Sequence, residues 1–532
     1  MKHLISTILF ICPLFAYGET NEDDIAIRDL QRAIQMTDAT MERSFTGGTS
    51  NMRMYDTYNL ETQQGSGSAD VWPYTAALEA HCSVIEALDA LRDKAPQIYE
   101  DTRDRYVKRL KYLFNSLDYY RGTYTLNSYA RIAQWSIYGV HRSNTKGTAA
   151  VTGIENVYDD QMWICRELVR AYKLTGDNDY LTKAEYLANY CIDGWDCCLD
   201  NNGNEYGGIS WGPGYNSKHS CSNGPIIQPL VWLSEIYKTD DEQANLRYYY
   251  ILSDGTRTSE MRRHSDVYLE MARKVYDWQK EKLLNKETGV YWDMLGAPGE
   301  IQYVGEGRNK YRTHVDNGGP SGTAYTYNTG TMLAGTAELH RVTGDERYLQ
   351  DLDALAQSSW KYFAKGKRIS GTVFFEWPTD EKAESGFNAW FDDVLMRAYV
   401  DAADRNTTIY NGKTHAQNAL SSFQQNLDYA FDNYQKQYML PINLLNGWEV
   451  STGDANVTKG FHQLAFASEY AMLAVWHYRQ EMQGNNIKVN KPEAKKKPLV
   501  YDLLGRKVTN YSLQRSKGAR LLVSNGKKIY NK

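Results

Sequence analysis

The pair of residues best suited to chemistry in this sequence is Asp159-Asp160, which follows a loop with glycine and begins an apolar periodic segment. Two carboxylates are the minimum equipment for glycoside hydrolysis: one protonates the leaving oxygen, and the other attacks the anomeric carbon or activates water. Because like charges a few ångström apart cannot both ionise easily, one pKa must rise, and that group can act as an acid near neutrality.

The same residues have an alternative, purely structural explanation. Aspartate in the first turn of a helix satisfies free backbone N–H groups and complements the helix dipole. The chain contains the dipeptide a second time, in Phe391-Asp392-Asp393-Val394. There we expect it to serve only as a helix cap or as part of a polar helix face.

The elements that must position Asp159 and Asp160 have the periodicity of helices. Apolar stripes begin at Leu181 and at Leu349, each shortly after a matching junction, Thr175-Gly176-Asp177 and Thr343-Gly344-Asp345. In such a junction a glycine closes one helix and an aspartate opens the next, so two copies indicate a repeated helical hairpin. Further amphipathic segments are predicted near 77–91, 103–117, 161–172, 226–237, 267–283, 331–340, 390–402 and 464–482.

No run of alternating short strands argues for a sheet before residue 482, so the sequence predicts an all-α ring of paired helices. Glycine- and aromatic-rich segments at 65–74, 206–224 and 318–330 separate the helices. In a ring of helical hairpins, the connections on one face gather around the central cavity, and loops are where function usually lies. These three loops are therefore the candidate site.

Composition narrows the class of ligand. The chain has 532 residues, a formal charge of -5 and no basic block before its last fifty residues, which argues against nucleic acid or a membrane surface as partner. It has 42 Tyr and 13 Trp, and these rings combine an apolar face with a hydrogen-bonding edge, as a sugar requires. With 10 His and no paired C-x-x-C, the sequence predicts no structural metal and no cofactor.

The N-terminus has the pattern of an export signal. A short basic start, an apolar run of about twelve residues and small residues before Glu19 predict cleavage of a signal peptide, residues 1–18. The apolar run is too short to span a bilayer, and no later run is longer. The six cysteines that remain permit disulfides in an oxidising compartment without specifying any pairing.

Four motifs carry a resemblance to a known family. Tyr158-Asp159-Asp160-Gln161-Met162-Trp163, the Thr-Gly-Asp repeat, Gly207-Gly208-Ile209-Ser210-Trp211 and Tyr325-Thr326-Tyr327-Asn328-Thr329-Gly330 resemble, in order, those of glycoside hydrolase family 76, the endo-α-1,6-mannanases. The resemblance covers about residues 30–480. It implies an (α/α)6 barrel and a retaining reaction with Asp159 as nucleophile and Asp160 as general acid/base. Retention requires carboxyl groups about 5 to 5.5 Å apart.

Further residues are candidates for substrate binding, each with a structural alternative. Aromatic platforms for sugar rings and polar contacts to hydroxyls are predicted at Trp72, Tyr74, Trp211, Asn223, Tyr327 and Asn328. Trp72 and Tyr74 are as well suited to packing at a helix start, and Asn328 to capping a helix. Asp316 is a candidate third acid in the cleft, or else a turn residue.

Beyond the predicted catalytic domain, 19–483, the composition changes. Residues 484–498 are polar and lysine-rich and predict a linker, and 499–532 predict a short β-rich tail. The tail resembles the sorting or surface-attachment ends of secreted Bacteroidetes proteins, which implies the periplasm or cell surface of a Gram-negative bacterium. An insertion near 240–264 sets the chain apart from a minimal family member and implies reshaped subsites.

The sequence therefore predicts an exported monomer that cleaves the α-1,6-linked backbone of yeast-type mannan from within, as a retaining endo-mannanase. Two alternatives stay open. One is another (α/α)6 glycosidase, such as an exo-acting α-mannosidase or an enzyme for uronides, although the loops contain few basic residues. The other is a surface protein that binds glycans without cleaving them and needs no acid pair.

Overall fold

The computed structural model describes residues 24–238, 245–296, 299–378, 388–405, 407–410, 412–448 and 456–490, with short strands at 500–501, 507–508, 521–524 and 527–530. The predicted signal peptide, 1–18, lies outside the described residues. By contact density the chain divides into two compact units, Met1–Trp476 and His477–Lys532.

Twelve α-helices account for most of the described residues. They are α1 (Ile25–Arg43), α2 (Val71–Ala90), α3 (Pro96–Ser116), α4 (Tyr158–Thr175), α5 (Asn178–Asp193), α6 (Gly224–Lys238), α7 (His264–Leu283), α8 (Thr326–Thr343), α9 (Glu346–Phe363), α10 (Asn388–Ala402), α11 (His415–Tyr434) and α12 (Gly460–Asn490). Every segment predicted as an amphipathic helix coincides with one of them to within one residue at its end. The helix-rich fold class is confirmed.

The described strands are short and form small separate sheets. They are β1 (Phe45–Thr46), β2 (Arg53–Met54), β3 (Thr57–Asn59), β4 (Gln64–Ser66), β5 (Arg121–Asn127), β6 (Ile132–Tyr138), β7 (Lys218–His219), β8 (Asn245–Ile251), β9 (Arg257–Arg263), β10 (Met294–Leu295), β11 (Tyr303–Val304), β12 (Tyr311–Arg312), β13 (Pro320–Ser321), β14 (Lys365–Ile369), β15 (Thr372–Glu376), β16 (Ile409–Tyr410), β17 (Lys413–Thr414), β18 (Val457–Thr458), β19 (Val500–Tyr501), β20 (Lys507–Val508), β21 (Leu521–Ser524) and β22 (Lys527–Tyr530). All described pairings are antiparallel.

The helices fall into two kinds that pack in pairs. Helix α2 is almost completely buried, whereas α9 has one buried stripe and one polar face. Even-numbered helices pack against each other in the order α2, α4, α6, α8, α10, and each of them also packs against an odd-numbered neighbour. Helix α12 reaches α2 through a hydrogen bond between the hydroxyls of Ser83 and Ser468, 2.9 Å apart.

The two predicted hairpin junctions have the same geometry. Gly176 and Gly344 end α4 and α8 in the left-handed conformation, with φ of 71° and 65°, which glycine adopts without strain. Asp177 and Asp345 then cap α5 and α9, because their carboxylates accept the backbone N–H of the second residue that follows. The repeated sequence thus encodes a repeated turn between paired helices.

The prediction of no strands before residue 482 was wrong for the connections between helices. The hairpins β5–β6 and β8–β9 have seven paired residues in each strand, and β14–β15 has five. Polar residues face solvent along these two-stranded ribbons, so the sequence lacks the apolar alternation that marks a larger sheet. The β8–β9 hairpin occupies most of the insertion noted near 240–264.

The predicted linker, 484–498, was wrong in its first part, because α12 continues without a break to Asn490. The remainder of that segment lies outside the described residues. Farther along, the four strands β19 to β22 form one antiparallel sheet in the order β20-β19-β21-β22. All six cysteines after the predicted signal peptide are buried free thiols.

Two further properties concern membranes and metals. Among the residues that the structure describes, no helix combines the length and apolarity needed to cross a membrane. The same residues contain no group of three or more His, Cys, Asp and Glu side chains placed to hold a metal ion.

Candidate active site

Asp159 and Asp160 lie in the first turn of α4, and three connections fix that turn. The backbone N–H of Tyr158 donates to the carbonyl of Trp211 at 2.8 Å, which joins the helix start to the loop 206–224. The Gln161 side chain exchanges two hydrogen bonds with the backbone of Tyr138 in β6, at 3.0 and 2.6 Å. The start of α4 is therefore held between a loop and the β5–β6 hairpin.

Asp160 is buried and Asp159 is half-buried, and the two carboxyls differ in what surrounds them. Burial raises the pKa of Asp159, and the Cys221 thiol, backbone N–H groups at the helix start and the Trp211 indole oppose that rise. Burial raises the pKa of Asp160 well above the usual range, and the charges of Asp159 and Asp70 raise it further. Asp160 is therefore the better proton donor at neutral pH, and Asp159 is the carboxyl with groups that stabilise its anion.

The loop before α6 supplies aromatic and thiol groups around Asp159. The Trp211 ring is half-buried and stacks on His219 with centroids 4.8 Å apart, and it also contacts Tyr215 at 4.6 Å. Burial lowers the pKa of His219 to about 4, so this imidazole is neutral at physiological pH. Cys221 is a neutral thiol there, since burial raises its pKa well above the usual range.

A third carboxyl, Asp293, lies beside this group, and it was not predicted from the sequence. Its Oδ1 is 3.5 Å from both the Tyr327 hydroxyl and Asn328 Nδ2. Its Oδ2 is 3.8 Å from Nδ1 of the neutral His219. The short sheet β13-β10-β7 makes this arrangement, because Asp293 directly precedes β10 and Ser220, next to β7, donates its N–H to the Asp293 carbonyl. The aromatic run Tyr291-Trp292 before it was the available signal.

The predicted residues Tyr327 and Asn328 are brought to this site at the start of α8. Burial raises the pKa of the Tyr327 hydroxyl, and the charges of the nearby Asp293 and Asp159 raise it further. Asn328 is fully buried, and its Oδ1 has no hydrogen-bond partner among the described residues. Tyr327 thus connects the third carboxyl to the α4 pair, and Asn328 contacts the third carboxyl alone.

Trp72 joins the site through an aromatic cluster. Its ring stacks on Trp390 at 4.7 Å and also contacts Phe391 at 5.5 Å and Tyr327 at 6.4 Å. Trp72 is half-buried in this cluster, whereas Trp390 is fully buried beneath it. The ring of Trp72 therefore covers packed aromatics and remains partly accessible.

Three other predicted binding residues lie elsewhere. Tyr74 is completely buried, and its hydroxyl donates to the carbonyl of Leu113, so it packs α2 against α3. Asn223 is also completely buried, and its amide bonds the backbone of Ile209 and His219, so it shapes the loop without offering a free polar group. Asp316 is fully exposed, in a surface cavity that contains none of the residues around Asp159.

A buried and a half-buried carboxyl with unequal surroundings, beside partly accessible aromatic rings and a third acid, are the equipment of a glycoside hydrolase. The sequence model of Glycosyl hydrolase family 76 matches residues 103–245 and 257–440, more than half of the chain. The protein therefore belongs to glycoside hydrolase family 76, and the resemblance inferred from its motifs is confirmed. No curated protein matches the chain.

Solved structures share the fold at low sequence identity. A family 76 mannosidase from Bacteroides thetaiotaomicron VPI-5482 is 21% identical with a TM-score of 0.58, covering 86% of this chain and 100% of its own. The α-1,6-mannanase of Salegentibacter sp. HEL1_6 is 19% identical with a TM-score of 0.53, covering 84% and 99%. An inactive variant of that mannanase, with two adjacent aspartates changed to asparagine, was solved with α-1,6-mannotriose; it is 18% identical, has a TM-score of 0.53 and covers 84% and 99%.

Proposed function

We propose that the protein is an exported, retaining endo-α-1,6-mannanase built on an (α/α)6 barrel. The even-numbered helices α2 to α12 form the inner ring, and the odd-numbered helices α1 to α11 form the outer one. The sequential packing of α2 to α10 and the contact of α12 with α2 support this closed arrangement. The starts of α2, α4 and α8, with the loops between β7 and β13, then lie at one end of the ring, where the cleft opens.

The reaction uses the two adjacent aspartates in different roles. Asp160, kept protonated by burial and by its acidic neighbours, donates its proton to the glycosidic oxygen as the C1–O bond breaks. Asp159, whose anion is stabilised by Cys221 and Trp211, attacks the anomeric carbon and forms a glycosyl ester. Asp160 then removes a proton from a water molecule, which attacks the anomeric carbon of the ester from the side that the leaving group occupied. The two successive displacements retain the configuration.

The remaining site residues hold the sugar. Asp293, with Asn328 and Tyr327, offers acceptors and donors to ring hydroxyls next to the scissile bond. Trp72 and Trp211 provide half-buried ring faces on which the apolar side of a hexose can stack. The observation that carries the proposal is the Asp159–Asp160 pair at the start of α4, in which Asp160 is buried, Asp159 is half-buried and the two carboxyls have different neighbours.

The relatives support the choice of substrate. The Salegentibacter enzyme is an α-1,6-mannanase, and its variant with both adjacent aspartates replaced is inactive and binds α-1,6-mannotriose. We also propose the organisation inferred from the sequence: a cleaved signal peptide, a catalytic domain 19–483, a tail 499–532, and a monomer in the periplasm or at the cell surface of a Gram-negative bacterium.

The experiment that tests the proposal is digestion of debranched α-1,6-mannan by the purified protein, with products separated by length and their anomeric configuration followed by NMR. A ladder of oligosaccharides released first as α-anomers would support a retaining endo-mannanase. Release of mannose alone would indicate an exo-acting enzyme. Products released first as β-anomers would indicate an inverting mechanism. Binding without cleavage would favour a capture protein.

A further inference from the structure

A cavity of about 290 Å³ lies away from the candidate active site. Its walls come from the turn between β5 and β6, Trp135 of β6, the last turns of α5 with Trp195 and Cys197 after it, the strand β8 and one residue of α7. None of the residues grouped around Asp159 and Asp160 lines it. Its volume is at the lower end of the range for small-molecule sites, so it has room for about one sugar ring.

The polar centre of this cavity is the pair Arg131–Asp193. The guanidinium Nε of Arg131 donates to both carboxylate oxygens of Asp193, at 2.8 and 2.7 Å. The two terminal nitrogens of Arg131 make no hydrogen bond to any described residue, and the side chain is 22% exposed. The Arg131 guanidinium therefore has up to four N–H donors that are free to bind hydroxyls. Its positive charge is balanced by the Asp193 carboxylate.

Aromatic rings surround that pair. The Arg131 guanidinium lies 4.4 Å from the centroid of Tyr249 and 5.1 Å from that of Trp135, so it is held between the two rings. Tyr186, 38% exposed, meets the Trp135 ring edge-on at 5.0 Å. Ring faces beside fixed, charge-balanced donors suit a neutral hexose, which has one apolar face and a rim of hydroxyls.

One wall of the cavity lies outside the part of the chain that the family model matches. The family model skips residues 246–256, and these include all four β8 residues that line the cavity: Leu246, Arg247, Tyr248 and Tyr249. The insertion is folded as a regular hairpin, with Tyr249 paired to Ser259 in the register of β8 and β9. The hairpin thus adds an aromatic wall to a charged pair that lies in the part of the chain matched by the family model.

We infer that this cavity is an accessory binding site for one hexopyranose unit of the α-mannan chain, outside the cleft. The inference rests on the proposed function for the identity of the sugar. Its role is to hold polymer against the enzyme while a neighbouring stretch of the same chain occupies the active site. A substrate that occupies only the active site gains nothing from it.

The test uses two tyrosines that are adjacent on β8. Tyr249 lines the cavity, whereas Tyr250 does not. In the purified protein we compare Tyr249→Ala with the matched control Tyr250→Ala, measuring kcat/KM on α-1,6-mannan and on α-1,6-mannotetraose. The polymer-to-tetraose ratio should fall about tenfold in Tyr249→Ala, the size of one lost aromatic contact, and stay at the wild-type value in Tyr250→Ala.

Binding of the polymer gives a second readout that does not depend on cleavage. In the Asp159→Asn/Asp160→Asn background, adding Tyr249→Ala should weaken binding of α-1,6-mannan about tenfold, measured by affinity electrophoresis. An equal polymer-to-tetraose ratio in both tyrosine variants would overturn the accessory site while leaving the mannanase intact. Binding of inorganic phosphate at the cavity, with no Tyr249-dependent mannan binding, would overturn it too. If the wild-type protein bound mannan in a Tyr249-dependent way but cleaved nothing, the accessory site would be supported and the proposed mannanase activity would be wrong.

Discussion

The chain contains two Asp-Asp dipeptides on buried helices, and the structure places them in different surroundings. Asp159-Asp160 occupies the first turn of α4, beside loop residues, and Asp159 remains partly accessible. Asp392-Asp393 lies a full turn inside α10, with 6% and 0% exposure. The expectation that the second pair would be a cap or a polar face was therefore wrong.

The neighbours of the two pairs differ in kind. Asp392 accepts a hydrogen bond from the Thr326 hydroxyl, while Asp393 lies among Glu79, Arg397 and Arg166 and has no hydrogen bond to either oxygen among the described residues. Burial raises the pKa of both, as it does in the α4 pair. A raised pKa is thus common to both dipeptides, and access for a substrate, together with donors that stabilise one anion, is what distinguishes a reactive pair.

The largest expected effects come from replacing the two aspartates of α4. Asp159→Asn and Asp160→Asn should each lower kcat on α-1,6-mannan by about 10³-fold or more, since one removes the nucleophile and the other the proton donor. The matched control, Asp392→Asn, should stay within about threefold of wild type, because the amide oxygen can still accept from Thr326. Initial rates of reducing-end release measure all three.

These variants also separate the two aspartates. An activated mannoside with a good leaving group needs no acid, so Asp160→Asn should recover much of its rate on it, whereas Asp159→Asn should not. Similar losses in Asp392→Asn and Asp159→Asn, with all proteins folded by circular dichroism, would mean that α4 does not carry the reactive pair.

A smaller loss is expected for the third carboxyl. Asp293→Asn should reduce kcat/KM about 10- to 100-fold, the range for losing a charged hydrogen bond to a substrate hydroxyl. Asp316→Asn, at the fully exposed acid predicted from the sequence, should change it less than twofold. If Asp316→Asn proved the more damaging of the two, the sequence-based choice of third acid would be right and the geometric one wrong.

Much of the fold could be predicted from the sequence because helix periodicity and capping are local signals. The junctions at Gly176 and Gly344 were predicted together with their aspartate caps, and they have that geometry. Helices α1 and α11 were not singled out, although α1 has a buried apolar stripe. The hairpins were not predicted because they are polar, two-stranded ribbons. Their sequences lack the regular apolar alternation that marks a strand of a larger sheet.

The candidate site was less predictable, because it depends on which side of a buried helix each residue occupies. Trp72 and Tyr74 are two residues apart on α2, yet one joins the aromatic cluster and the other packs against α3. Asp293 reaches the site through the pairing of β10 with β7, strands of only two residues each. Such short strands leave no pattern that sequence analysis can detect.

Stability as a function of pH should sharpen the contrast between the dipeptides. Burial keeps Asp392 protonated in the folded protein at a pH where the unfolded chain has lost the proton, so folding is penalised as pH rises through that interval. Asparagine does not titrate. Asp392→Asn should therefore gain stability over wild type from about pH 4 upward, by as much as about 1.4 kcal/mol for each pH unit of the interval.

Urea denaturation at a series of pH values measures this difference, with the exposed Asp316→Asn as the control that should show no such trend. A constant difference between Asp392→Asn and wild type from pH 4 to 8 would mean that Asp392 is ionised in the folded protein. The second dipeptide would then be a charged part of the arginine network, and not a buried neutral acid.

The smallest expected effect concerns the donors that distinguish Asp159 from Asp393. The Cys221 thiol lowers the pKa of Asp159 by stabilising its anion, so Cys221→Ala should raise that pKa. Because attack requires ionised Asp159, the acidic limb of the kcat/KM profile should move to higher pH by roughly half a unit, as expected for one weak hydrogen bond. Cys221→Ser, which retains a donor, should bring the acidic limb most of the way back to its wild-type position. A limb that moves equally in both variants, or not at all, would assign the acidic limb to another group and leave Cys221 as packing beside the carboxyl.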